Sequence, residues 1–446
     1  MNKVEDIRDI LEKNDYKKLK SILNEYHPVD IAEFYEDLSS TESLKLFKAL
    51  DFDVAVQVLE EMDSNKKYFI LTNIKPIYAS KLIAEMPFDN VADFLGDLSE
   101  EDKKAILSLV GENEQVDLKD LLAYDKDSAG GRMTTEYIAF SKDLKAKDAL
   151  NKLGELALDA ETIYYVFAVD SEGRLVGVVS LRDLILAPEQ TPIEDFMQTD
   201  VKKVNALQDQ EEVARLIKKY GFLALPVVDV NNILLGIVTV DDAMMVVEEE
   251  TTEDILKLSG SDFDEKIDLG QASPWARAKR RLPWILVAVV GEIFSGRVIN
   301  DFSAALQTVV ALSFFIPVLM DMGGNVGTQS AAIIVRGLAT GEINTSSIAK
   351  NVLREAAVGM ILGVFNGLLV ATITYLWQGE VLLGVVVGIA MAFNLTLAAM
   401  LGTFMPLLWH KLGHDPAVAS GPLITTSLDI LGLFVYFSTA TWILKL

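Results

Sequence analysis

More than a third of the chain, from Leu282 to Leu446, holds only 6 Lys/Arg and 8 Asp/Glu. A hydrocarbon core of ~30 Å is crossed by about 20 helical residues. Breaks at "INDFS", "GLATGEINTSS", "WQGE" and "HKLGHDP" divide the tract into five such lengths, near 283–303, 305–336, 347–377, 380–409 and 416–444. Backbone polar groups exposed to lipid must bond within their own segment, so each length is predicted to be an α-helix. Glycines recur at packing spacing, Gly359, Gly363 and Gly367 on the third length and Gly384 with Gly388 on the fourth. Such rows let helix backbones approach closely.

The part of the chain before Leu282 carries 34 basic and 57 acidic side chains, so nearly all of the net charge of −25 lies outside the apolar tract. That balance repels nucleic acid and attracts cations or basic partners. There is no Cys, and the three His (His27, His410, His414) are scattered, which excludes disulfides and a Cys/His metal centre. No GxxxxGK[ST] and no Ser/His/Asp order is present, so neither catalysis nor ATP-driven pumping is expected. The opening "MNKVEDIRDILEKND" lacks the apolar core of a cleaved signal, which puts the N-terminus in the cytoplasm. Arg277–Arg281 ("RAKRR"), Arg336, Lys350, Arg354 and Lys411 then fall on the cytoplasmic side and Lys445 on the other. Five crossings place the C-terminus outside the cell (inner) membrane.

Two repeats organise the polar part. Leu38, Leu50, Met62, Ile74, Met86 and Leu98 recur with a period of 12, the length of a short helix and a turn, and predict a stack of helical hairpins over residues 1–125. "VDSEGRLVGVVSLRDL" (169–184) and "VDVNNILLGIVTVDDA" (228–243) align position by position, Val169 with Val228, Gly177 with Gly236 and Asp183 with Asp242. Each reads as strand, turn, strand and helix, the helix opened by Ser180-x-x-Asp183 or Thr239-x-x-Asp242, a capping-box-like pattern. "KDALNKLGELAL" and "EEVARLIKKYG" supply a preceding helix. These two units resemble a tandem pair of CBS domains, a regulatory module that commonly binds adenosine nucleotides or ions.

With "RLPW" opening the first span and "GGNVGTQSA" in the second, the whole chain resembles the MgtE family of magnesium channels. The expected fold is a multidomain membrane protein. It has an all-α helical-repeat N-domain (1–125), a tandem α/β CBS pair (126–190 and 191–247), a connecting plug helix and linker (248–281), and a five-helix all-α transmembrane domain (282–446). The resemblance implies a homodimer embedded in membrane lipids, Mg²⁺ as both substrate and regulator, and a pore that closes when internal Mg²⁺ is plentiful.

Mg²⁺ holds octahedral oxygen ligands and sheds water reluctantly, so its path calls for few carboxylates and several polar oxygens. Asp429 is the ionisable residue well inside the fifth span; Pro422, Thr425, Asp429 and Gly432 share a helix face. An intramembrane carboxylate is a functional candidate, the alternative being a structural pair with a basic residue such as Arg297. The resemblance makes Asp429 the ion-recognising residue. On the second span, Pro317 removes a backbone donor, Gly324 and Gly327 relax the helix or pack it, and Asn325 and Gln329 offer amide oxygens. Asp321 could line the same wall or cap a broken helix. Glu292 and Arg297 point to different faces of the first span and read as structural; family members are expected to be more apolar there.

Asp89, Asp93 and Asp97 lie four apart on one predicted helix; Glu250, Glu253 and Asp254 share a face of the connecting helix; Asp241 and Asp242 close the second CBS unit. These are either solvated acidic faces or, together, patches that Mg²⁺ bridges. Gly221 stands where the resemblance leads one to expect an acidic residue. ATP is a further regulatory ligand, with Asp183 and Asp242 as ribose partners. Mn²⁺, Co²⁺ and Ni²⁺ stay open as alternative cargo, because oxygen ligands separate them weakly from Mg²⁺.

Overall fold

The computed structural model describes residues 3–13, 15–111, 114–157, 160–261, 273–419 and 421–446. It divides into two compact units, Met1–Val247 and Glu248–Leu446. Within the connecting segment read from the sequence, residues 262–272 lie outside the described residues.

The first unit begins with ten short helices: α1 (Lys3–Glu12), α2 (Tyr16–Leu23), α3 (Pro28–Asp37), α4 (Ser40–Phe47), α5 (Phe52–Glu60), α6 (Ser64–Asn73), α7 (Pro76–Ala84), α8 (Phe88–Asp97), α9 (Glu100–Leu107) and α10 (Glu114–Leu121). The apolar period read from the sequence marks their ends. Leu38, Ile74 and Leu98 are the C-caps of α3, α6 and α8, and Leu50, Met62 and Met86 follow α4, α5 and α7 within three residues. Each turns its apolar side chain onto the shared core as the chain reverses. The starts are equally local: Ser39 and Glu42 form a reciprocal capping box on α4, Ser99 caps α9, and Pro28 and Pro76 occupy first turns where no amide donor is needed.

Two small sheets follow, each built the same way. In the first, β1 (Ala139–Ser141) pairs parallel with β2 (Tyr165–Val169), which pairs antiparallel with β3 (Leu175–Ser180); α11 (Ala146–Leu156) crosses over and α12 (Leu181–Leu186) leaves β3. In the second, β4 (Val204–Asn205), β5 (Ala224–Val228) and β6 (Leu234–Thr239) repeat the order, with α13 (Gln210–Tyr220) as crossover and α14 (Val240–Leu258) as the exit helix. The register shifts between Ala168 and Val169 in one copy and Val227 and Val228 in the other, at equivalent positions. The repeated glycine has a steric cause: a Cβ at Gly177 would lie 2.3 Å from Met197 Sδ, and one at Gly236 would lie 2.5 Å from the Thr134 carbonyl oxygen. In both copies another segment crosses the strand there.

The second unit holds α15 (Pro274–Asp301), α16 (Ser303–Thr308), α17 (Ile316–Ala339), α18 (Ile348–Gln378), α19 (Val381–Lys411) and α20 (Pro422–Leu444). Among the described residues five stretches are long and apolar enough to cross a membrane, so this is a multi-pass membrane protein. Two features depart from the sequence reading. The first membrane helix starts at Pro274, so "RAKRR" continues it as a helical extension. The length predicted as one span over 305–336 is interrupted, because a 3-10 stretch at Val310–Phe315 separates α16 from α17. Pro317 therefore sits in the first turn of α17 and kinks nothing; its ring would clash with the carbonyl four residues back if the α-helix continued upstream. The glycine rows form the seam between α18 and α19: a Cβ on Gly363 would meet the Ala392 carbonyl oxygen at 2.7 Å, and one on Gly367 the Gly388 oxygen at 2.5 Å.

Candidate functional site

In the membrane unit α20 packs against α15, α17 and α19. On the α17 side small residues make the contact: a Cβ at Gly324 would touch Thr425 Cγ2 at 3.4 Å, and one at Gly327 would strike Leu428 Cδ1 at 2.3 Å. On the α15 side Gly291 gives room to Thr426. Asp429 follows one turn along α20 from Thr425 and is half-buried. Its neighbour is an acid: the Glu292 carboxyl on α15 faces it. Among the described residues Asp429 forms no ion pair, and neither does Arg297.

The remaining predicted membrane positions separate into two groups. Asp321, Asn325 and Gln329, spaced four apart, are exposed along one face of α17, and Asn325 Nδ2 donates to Asp321 Oδ2 at 3.1 Å. Asp321 belongs to this polar row and caps no broken helix. Gly327 and Gly432 are buried packing positions instead. Opposite Gly432 stands Asn394 of α19, 1% exposed, which the sequence reading missed. Its Nδ2 donates to the Leu319 carbonyl at 2.6 Å, and a Cβ on Gly432 would come within 2.6 Å of its Oδ1. Thr425 turns its hydroxyl back to the Gly421 and Pro422 carbonyls of its own first turn.

In the first unit, carboxylates from two helices and a connecting loop face one another. Asp89, at the start of α8, is held up to about 8 by burial and then by Asp242, with Glu161 and Asp93 adding to the effect. Its Oδ1 is buried without a hydrogen-bond partner. Glu161, before β2, is raised by burial and by Asp241 and Asp242. Burial likewise raises Asp242, although Thr239 Oγ1 donates to its Oδ2 at 2.5 Å. Among the described residues no three acidic side chains already stand as a chelating set, so a bridging ion would have to draw them together.

The acidic row on α8 divides. Asp89 looks toward Asp242, whereas Asp93 and Asp97 also act on Lys67, a lysine 5% exposed on α6. Lys67 Nζ donates to the Glu60 carbonyl at 3.3 Å and lies 5.4 Å from the centre of the Phe94 ring. Burial lowers it to about 8 against the opposing pull of Glu60, Asp93 and Asp97. Neither Lys67 nor Glu161 belongs to a motif; only the fold brings them to the acids.

The far end of α14 lies in the second unit and carries Glu250, Glu253, Asp254 and Lys257 on one face. Lys257 bridges Glu253 and Asp415, the latter at 2.6 Å in the connection between α19 and α20. Burial, then Asp415, raises Asp254 to about 6. A Cβ on Gly421 (φ +54°) would fall 2.6 Å from the Leu258 carbonyl oxygen, so this end of α14 abuts the entry to α20. The Glu253-x-x-x-Lys257 spacing was visible in the sequence; the partner Asp415 was not.

Of the two aspartates assigned to a nucleotide, Asp183 accepts from Ser180 Oγ at 2.6 Å and Asp242 sits in the acidic interface. Beside Asp183 a cleft of about 690 Å³ is lined by Tyr164, Tyr165, Ser180, Arg182 and Leu223, aromatic and cationic groups suited to a base and a phosphate.

The architecture defines a multi-pass membrane protein with a large acidic unit ahead of its membrane helices, and comparison with known proteins gives the family. A family profile described as "Divalent cation transporter" (MgtE) matches residues 316–439, the MgtE intracellular N domain matches 26–127, and CBS domains match 129–189 and 193–249. The chain is 38% identical over 432 residues to Magnesium transporter MgtE of Bacillus subtilis, covering 97% of this chain and 95% of that one. It is 35% identical over 442 residues to the Thermus thermophilus protein of the same name, covering 98% of each. A crystal structure of the cytosolic domain of the Mg²⁺ channel MgtE in complex with ATP superposes with a TM-score of 0.52 at 35% identity, over 55% of this chain and 99% of that one. The chain belongs to the MgtE family, and it is a transporter, not an enzyme.

Proposed function

We propose that the protein is a Mg²⁺-selective, Mg²⁺-gated channel that admits magnesium across the cell membrane, with Asp429 as the residue that recognises the ion. The observation that carries the reading is a half-buried carboxylate inside a membrane helix, with no basic partner among the described residues. The chain that holds it matches magnesium transporters over nearly its full length. A carboxylate at that depth needs an aqueous path or a cation. The exposed Asp321, Asn325 and Gln329 row on α17 would be as costly against lipid, so a second copy of the chain closing the path is the arrangement that serves both helices. The basic residues flanking the spans orient the regulatory unit and the N-terminus to the cytoplasm and the C-terminus outward.

Gating follows from the carboxylates. Asp89, Asp242 and Glu161 in the first unit, and Glu253, Asp254 and Asp415 around α14 in the second, repel one another when docked. Mg²⁺ binds the docked state more tightly because only there do the acids share it, so high internal Mg²⁺ closes the channel. ATP, bound by the similar cytosolic domain, fits the Tyr164, Tyr165 and Arg182 cleft as a second regulator. The test is Mg²⁺-limited growth and radiotracer or dye-reported Mg²⁺ flux in a transport-deficient strain. Wild type should rescue and Asp429→Ala should not; equal uptake by both would remove Asp429 from the path. Competition by Mn²⁺, Co²⁺ and Ni²⁺ in the same assay decides the cargo within the divalent class.

A further inference from the structure

Glu292 is an intramembrane charge that the sequence reading took as structural. It lies on the exposed side of α15, at a depth where an ionised group meets lipid only at large cost. It nonetheless reaches Asp429, because Gly291 and Thr426 let α15 and α20 approach closely just before it. Two carboxyls facing each other across a close helix contact cannot both hold their full charge without a cation or a proton between them. A second, separate observation falls on the same seam. Ser295, one turn beyond Gly291 and three residues from Glu292, is 1% exposed, and its hydroxyl has no hydrogen-bond partner. The buried residues of α15 are Gly291 and Ser295, so this unsatisfied hydroxyl lies on the side where α20 packs. A buried hydroxyl left unbonded is costly and is ordinarily met by a water or a ligand.

We infer that Glu292 is a second carboxylate of the ion site, which with Asp429 presents a doubly negative locus and makes this channel discriminate divalent from monovalent cations more strongly than Asp429 alone would. The inference rests on the proposed ion path through Asp429 and adds a residue to it. The physical reason is charge matching: Coulomb attraction scales with the product of charges, so removing one carboxylate weakens a divalent ion's binding twice as much in free energy as a monovalent ion's. Ser295 contributes an oxygen to the hydrated ion or orients the Glu292 carboxyl. Because a hexahydrated divalent ion keeps several of its waters, two acids on adjacent helices hold it through that shell without stripping it.

The test uses full-length protein reconstituted in liposomes, with Mg²⁺ influx read by an internal dye and K⁺ current measured under divalent-free conditions. Glu292→Gln is expected to raise the half-saturating Mg²⁺ concentration about tenfold, the scale on which losing one close charge acts. It should also raise the Mg²⁺ concentration that blocks K⁺ current. Glu292→Asp keeps the charge and should lie between, which separates charge from packing. Ser295→Ala should shift half-saturation in the same direction by a smaller factor. Thermal melting and elution volume of each variant check that it folds. If Glu292→Gln folds and leaves half-saturation and block at wild-type values, Glu292 is a packing residue and the inference is overturned, while Asp429 can still carry the path. If Glu292→Gln does not fold, Glu292→Ala, which also removes the charge, decides: wild-type half-saturation and block overturn the inference, and a shift in both supports it. If instead Asp429→Asn conducts like wild type, the path itself is wrong, a result distinct from the first.

Discussion

Replacing Asp89 with Asn removes an acid from the interface between α8 and the second CBS copy while keeping its shape. Asp89 titrates near 8 in the folded chain against an ordinary 3.8, with burial and then Asp242 as the causes. A carboxyl whose pKa is raised on folding binds more protons in the folded state, so its contribution to stability is lost as pH rises from 3.8 and is fully lost above 8. Between its ordinary value and pH 7 lie about three pH units, and at about 1.36 kcal/mol for each the docked arrangement carries a penalty of about 4 kcal/mol. In the proposed gating, Mg²⁺ relieves it by supplying the missing positive charge. Asp89→Asn should therefore dock the N-domain without Mg²⁺, gaining up to about 4 kcal/mol at pH 7 in metal-free buffer and nothing near pH 4. The assay is limited proteolysis of the detergent-solubilised full chain, with and without Mg²⁺, at pH 5, 7 and 8.5. Wild type should become more sensitive as pH rises in the absence of Mg²⁺ and recover when it is added, and the variant should stay resistant throughout. Wild-type Mg²⁺ dependence in the variant would refute the claim that Asp89 supplies the repulsion.

Other outcomes follow from the geometry. Lys257→Met leaves Glu253, Asp254 and Asp415 together without their tethered cation, so the end of α14 should become protease-sensitive at low Mg²⁺ and recover at high Mg²⁺, whereas Lys257→Arg should behave as wild type. Gly402→Ala puts a methyl 2.2 Å from the Gly327 carbonyl oxygen and should lower the melting temperature of the membrane unit, the scale of overpacking being ~1–3 kcal/mol. Gly96→Ala, where a Cβ meets nothing within 4 Å on α8, should by contrast leave stability equal or raise it by about 0.5–1 kcal/mol in thermal denaturation. Asn394→Leu removes the donor to the Leu319 carbonyl and should reduce flux together with thermal stability, because it holds the start of α17 to α19.

The sequence alone settled the features that depend on neighbours in the chain. Hydropathy runs longer than a bilayer is thick forced five membrane helices, the short apolar period marked the helix ends where Leu38 and Met86 fold inward, and the tandem repeat placed Gly177 and Gly236 at matched strand crossings. Ser180 caps its helix by accepting from the Asp183 amide, and the Asp242 carboxylate accepts from the Thr239 amide and hydroxyl, the local contacts over three residues that the spacing implied. Asp429 was visible as a lone acid in an apolar helix, but its partner was not. Glu292 belongs to the first span and Asp429 to the fifth, and only the packing of Gly291 on Thr426 brings the two acids together. The same holds for Glu161 against Asp89, Lys67 beneath Asp93, and Asp415 against Lys257. Pro317 shows the converse: read as removing a backbone donor inside one span over 305–336, it opens a new helix, since nothing local revealed that the chain would leave the α-helix at 310–315. Periodicity and capping are short-range and survive in sequence. Which charges meet is decided by the approach of elements far apart in the chain, and that is fixed only when the backbones have packed.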